Sequence, residues 1–118
     1  MRLWPFLVIA AMCMPFSGEA QQLGAYGIGV HSCAEFAKSY AADPTVTENI
    51  YFAWAEGFVS GLNMSAIANN LAYRIPESGN EKMRYYMLYI RSYCDSHPLS
   101  PYYGAVTTLY TTILSPGR

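Results

Sequence analysis

Residues 78–98 read SGNEKMRYYMLYIRSYCDSHP, and this stretch decides the fold. Met83, Met87, Ile90 and Cys94 recur at four-three-four spacing, which lines one face of a helix. Ser78 and Glu81 have the S-x-x-E spacing of a capping box, and Pro98 stops the run. Cys94 then falls at the core edge near the end of this helix. Arg74 to Asn80 (RIPESGN) is the strongest interior loop signal and separates it from an earlier helix.

That earlier helix is expected from Thr45 or Thr47 to about Leu71. Tyr51, Ala55, Phe58 and Leu62 form its buried stripe, with Ile50, Trp54, Gly57 and Gly61 on a neighbouring one. Gly57, Gly61 and Ser65 stand four apart, so one side of the helix is nearly bare backbone. Interior glycines cost about 1 kcal/mol each against alanine, and close packing of another helix is the expected reason for them. A ligand groove is the alternative. Before it, Ser32 and Glu35 form a second capping box, with Cys33, Phe36 and Tyr40 on one face and a break at Asp43-Pro44. Beyond residue 98, Ser100-Pro101 supplies an N-cap and a first-turn proline for a last helix with Tyr102, Val106, Leu109 and Ile113 inward. Residues 21–30 (QQLGAYGIGV) have no period and read as a flexible lead-in. No segment alternates as a strand would. The expected fold is all-α, a small four-helix domain over residues 31–118.

Residues 1–20 (MRLWPFLVIAAMCMPFSGEA) carry one positive charge, an apolar run and small residues at Gly18 and Ala20, the pattern of a secretory signal peptide cut after Ala20. Pro5 and Pro15 argue against a helix of the mature fold there. A lipoprotein anchor at Cys13 would need a small residue before it, where Met12 stands. Cleavage leaves two cysteines, Cys33 and Cys94, and an even pair in an exported small domain reads as a disulfide in the periplasm or outside the cell. The alternative, a zinc site with His31 and His97, would require both thiols free.

The whole chain has 118 residues, 53% hydrophobic and 13% charged, with a formal net charge of −1. Such sparse, balanced charge argues against binding nucleic acid or a membrane surface electrostatically. The hydrophobic content argues against disorder, and no apolar run approaches the roughly 20 residues that cross a bilayer. No GxSxG, phosphate-binding Gly-rich loop or serine-histidine-acid order is present, and no cofactor or metal is expected. Glu56 is the one acid in the apolar centre of the long helix. A hydrolase would need it buried beside His31 or His97 in an open cleft.

Eleven tyrosines are the unusual feature. Tyr85, Tyr89 and Tyr93 lie four apart beside the core stripe, with Arg84 and Arg91 on the same helix. This set is either a half-buried shoulder of the core or a protein-binding face.

The leader, G-x-x-S-C-x-x-F (Gly29 to Phe36), W-x-x-G-F-x-x-G (Trp54 to Gly61) and Y-C-x-x-H-P-L (Tyr93 to Leu99) together resemble the small exported proteobacterial proteins grouped around HdeA and the Rap/Tai-type immunity proteins of type VI secretion. The resemblance implies a periplasmic helical domain bridged by Cys33 and Cys94, with Trp54, Gly57 and Gly61 as packing residues and no catalytic ones. It implies a protein partner: a toxic effector for the immunity group, or an unfolded client for the acid-stress chaperones. A homodimer is compatible with either. Acid would change the charge strongly, because seven carboxylates remain after cleavage against six basic residues and two histidines.

Overall fold

A computed structural model describes residues 24–117. Residues 1–20, read above as a secretory leader and including Cys13, lie outside the described residues. Among those described, a 3-10 turn (Ile28–Val30) precedes four helices, α1 (Cys33–Ala42), α2 (Pro44–Ala68), α3 (Asn80–Ser96) and α4 (Tyr102–Thr112). Two-residue strands β1 (Arg74–Ile75) and β2 (Ser115–Pro116) pair antiparallel, Arg74 opposite Pro116. The domain is otherwise all-α.

Local chemistry sets the helix ends. Ser32 and Glu35 form the expected box: the Glu35 N–H donates to Ser32 Oγ at 3.2 Å, and the Ser32 N–H donates to the Glu35 carboxylate at 2.7 Å. That backbone hydrogen bond, followed by one from the Ser32 hydroxyl, holds the Glu35 carboxyl below its ordinary range. The box therefore contributes fully above the ordinary carboxylate pKa and is lost as pH falls through the depressed one. Asp43 does more than break the chain. Its N–H closes α1 on the Ser39 carbonyl, and its carboxylate accepts from the Val46 N–H at 3.1 Å, so α2 starts at Pro44, ahead of Thr45 and Thr47.

The other two starts differ from the sequence expectation. Helix α3 is capped by Gly79 at φ 121°, and no side chain caps it. Because α3 begins at Asn80, Glu81 sits one position too early to reciprocate with Ser78, and that capping box does not form. Helix α4 begins at Tyr102 with Pro101 as its cap. Ser100 is occupied elsewhere: its carbonyl accepts the Cys33 N–H at 2.7 Å.

That last bond belongs to a clamp. Cys33 and Cys94 form a disulfide with their Cα atoms 4.7 Å apart, and both are fully buried. Around it, the Ala34 N–H donates to the Pro98 carbonyl at 3.0 Å and the Tyr102 N–H to the His31 carbonyl at 2.8 Å. Two first-turn donors of α1, the Cys33 and Ala34 N–H groups, which a helix cannot satisfy internally, are thus met by the α3–α4 turn, and the Glu35 N–H by the Ser32 side chain.

Helix α2 packs on α1 and α4, and α3 packs on the same two helices. At their centre Phe36, Tyr51 and Tyr102 make a triangle with centroids 4.8 to 5.1 Å apart, in tilted and edge-on geometry that suits aromatic quadrupoles. Burial raises the phenol pKa of Tyr51 and Tyr102. Their contribution is complete below about pH 10 and is lost as pH rises through the raised values. Val59 and Ala66 join Tyr51 and Ala55 in the buried stripe of α2, while Phe58 and Leu62 are half-buried. On α3, Tyr86, Ile90 and Cys94 are buried, and Met83 and Met87 flank them.

Asn63 fastens the strand pair to α2. Its side-chain amide donates to the Arg74 carbonyl at 2.6 Å, while its Oδ1 accepts the Arg74 N–H at 3.0 Å and the Tyr110 hydroxyl at 2.8 Å. The side chain thus pairs with β1 as a neighbouring strand would. Arg74 extends the tie by donating from Nη1 to the Leu114 carbonyl at 2.9 Å. Replacing Asn63 by alanine strands three polar groups in a half-buried site, so a loss of about 2–3 kcal/mol is expected in a urea titration. Asn63→Asp should restore only part of it, because a carboxylate keeps the two accepted bonds but offers no donor to the Arg74 carbonyl.

Candidate functional site

The five α3 residues Arg84, Tyr85, Tyr89, Arg91 and Tyr93 do not form one face. Arg84 and Tyr85 are exposed, but Tyr89 is half-buried against the core. Arg91 turns toward α1 and α2: its guanidinium lies 4.8 Å from the Tyr40 ring centroid, donates to the Tyr40 hydroxyl and stands 3.9 Å from the Glu48 carboxylate. Tyr93 stacks on His97 with centroids 4.1 Å apart. Of the five, helix α3 therefore offers solvent only Arg84 and Tyr85, beside the exposed Glu81, Lys82 and Leu88, and Arg91 and Tyr93 are engaged within the fold.

Trp54 is a packing residue, although its main neighbours lie in the lead-in. Its indole N–H donates to the Tyr26 carbonyl at 2.8 Å and its ring stacks on Phe58. Gly29 is buried beneath it; a Cβ there would sit 2.2 Å from the ring. The end of the segment read as a lead-in is thus docked on α2 through a residue that has to be glycine.

Gly57 and Gly61 require a correction. Both are exposed, and a Cβ on either would meet nothing within 4 Å, so they do not serve helix packing among the described residues. They lie on the outer side of α2, turned away from the stripe of Tyr51, Ala55 and Val59. At 100° per residue, Val46, Ile50, Ala53 and Met64 share that outer side. Val46, Ile50, Met64 and Ile67 are 51 to 67% exposed, an extensive apolar exposure on a helix whose only charged residues are Glu48 and Glu56.

The inner flank of α2 borders a groove of about 220 Å³ that opens toward β1 and α3. Ala55, Val59, Tyr86, Leu109 and Leu114, all buried, make its floor, with Phe52 and Met83 as half-buried walls. Glu56 stands exposed at the rim beside Ser60. Neither histidine lines this groove: His31 is hydrogen-bonded through Nδ1 to the Tyr51 hydroxyl at 3.1 Å, and His97 through Nδ1 to the Tyr93 carbonyl at 2.9 Å. Glu56 is therefore not joined to a histidine. Among the described residues no three His, Cys, Asp or Glu side chains gather as a metal site, and no helix is long and apolar enough to cross a membrane. No family model, curated protein or solved structure matches the chain.

Sequence reasoning missed Asn63, and read the Ile50, Gly57 and Gly61 side of α2 as packed where it stands exposed. The side itself was legible: Ile50, Gly57 and Met64 stand seven apart, two helical turns each, and mark a second apolar stripe opposite the first. The glycines give a test of opposite sign. Gly57→Ala and Gly61→Ala should each stabilise the protein by about 0.5–1 kcal/mol, since each gains helix propensity and meets nothing. Gly29→Ala should destabilise it by about 1–3 kcal/mol through overpacking against Trp54. Chemical denaturation followed by circular dichroism measures all three.

Proposed function

We propose that this chain is an exported, disulfide-bridged helical protein that binds another protein and catalyses nothing, in the manner of an immunity or inhibitor protein. The observation that carries the reading is the outer side of α2, where Val46, Ile50, Met64 and Ile67 stand exposed around the bare backbone of Gly57 and Gly61. A surface of this composition gains by burial against a partner, and the glycines let that partner approach the helix closely. The disulfide supports an oxidising compartment. The resemblance to Rap/Tai-type immunity proteins supports a toxic effector as the partner class.

A second reading, an acid-stress chaperone like HdeA, is favoured by the use of carboxylates at the joints. Glu35 and Asp43 cap α1 and α2, and Glu48 faces Arg91 between helices. Of these, the Glu35 carboxyl is held below its ordinary range, so its part in the α1 cap is lost as pH falls through that depressed value.

Recovery of the protein with its leader from the bacterial envelope at neutral pH, followed by light scattering on a sizing column, separates the two. The inhibitor reading expects one stoichiometric heterologous complex, weakened at least tenfold by the double variant Ile50→Lys, Met64→Lys. Absence of any complex, with suppression of client aggregation at about pH 2–3 but not at neutral pH, would overturn it in favour of the chaperone.

A further inference from the structure

We propose that the groove between α2, β1 and α3 is a receptor for one long basic side chain, lysine or arginine, presented by the partner protein. The inference rests on the protein-binding reading above and names the chemistry of a second point of attachment. Size comes first. At about 220 Å³ the groove is smaller than the roughly 300–1,000 Å³ typical of small-molecule and cofactor sites, and suits a single side chain.

Lining chemistry narrows the occupant further. Ala55, Val59, Tyr86, Leu109 and Leu114 present an apolar floor, which suits a methylene stem. The polar side chains at the rim are unequal. Asn63 is fully engaged by Arg74 and Tyr110, and the Ser60 hydroxyl donates to the Glu56 backbone carbonyl at 2.8 Å. The Glu56 carboxylate has no ion-pair or hydrogen-bond partner among the described residues. An apolar groove with one exposed, unpaired acid among its lining residues matches the anatomy of lysine and arginine, whose stems bury while their cationic heads stay at the water boundary. An acidic side chain would meet like charge there, and a neutral apolar one would leave the carboxylate unused.

Position gives the groove access. Helices α2 and α3 each pack on α1 and α4, so the space beside them toward β1 stays open. Met83, unbranched and half-buried in the lining, is a side chain type that adapts to irregular shapes. This acid is also the one carboxylate of α2 that the fold does not use, since Glu48 faces Arg91.

The test uses the whole protein and small probes: n-butylammonium and n-butylguanidinium, with n-butanol and butyrate as neutral and anionic controls, each titrated while backbone amide NMR shifts are recorded. Saturable shifts at Ala55, Glu56, Val59, Ser60 and Met83 with the two cations are expected. Glu56→Gln should weaken them at least fivefold while leaving the melting temperature unchanged, and raising salt should weaken them in the wild type. Stronger response to one cation assigns the preferred head group. Equal shifts with n-butanol, or undiminished shifts in Glu56→Gln, would overturn the proposal. Because the titration needs no partner, its failure leaves the complex on the outer side of α2 untouched. Conversely, loss of that complex with an intact titration would count against the protein-binding reading alone.

Discussion

The start of α1 is held at one point by two kinds of bond, and the remaining architecture is arranged around it. The Cys33–Cys94 disulfide joins the first residue of α1 to the last turn of α3, and three backbone hydrogen bonds stitch the adjoining segments to the α3–α4 turn. Closing a loop of about 60 residues is worth roughly 4 kcal/mol in the chain-entropy account. A domain of this size has a net stability of about 5–15 kcal/mol, so the clamp is a large part of what keeps it folded. It also sets geometry. With α1 anchored against α3 and α4, Phe36 is delivered onto Tyr102, and Tyr51 closes the triangle from α2.

The four helices pack in a ring, α1–α2–α4–α3, so α2 and α3 stand across it from each other. This has a direct consequence for surfaces. Helix α2 is 25 residues long, and one side of it carries apolar residues left exposed among the described residues. Its inner flank borders α4 but leaves space beside β1, where the groove with Glu56 forms. Two different surfaces, one apolar and open, one narrow with a single acid, thus arise from the same helix and the same packing arrangement.

Much of the scaffold was legible in the sequence because its signals are local. Ser32 and Glu35 specify their own helix start, the four-three-four recurrence on α3 places Cys94 on the core side, and Pro98 ends that helix. Two cysteines were enough to propose the bridge. Where distant segments compete for the same atoms, local reading failed. Ser100 has the right type for an N-cap, yet its carbonyl is drawn into the clamp and Pro101 takes the cap position. Asp43-Pro44 reads as a break, yet the carboxylate of Asp43 makes it a junction. Arg91 stands in the candidate binding set until Tyr40 and Glu48 are brought to it from elsewhere in the chain, while Tyr93 stacks on His97 only four residues on and is half-buried, as the shoulder alternative has it. Asn63 carried no signal at all, because its value depends on a strand eleven residues away. Gly57 and Gly61 mark a face without side chains, but sequence spacing does not tell an occupied bare face from an open one.

The central claim is that covalent closure between Cys33 and Cys94 is the chief restraint on the bundle. Equilibrium urea unfolding of the intact protein, with and without a thiol reductant, tests it most directly. The account predicts that reduction lowers the unfolding free energy by about 4 kcal/mol or leaves the protein unfolded in buffer. Superimposable curves, with both cysteines shown to be thiols in the reductant, would contradict it.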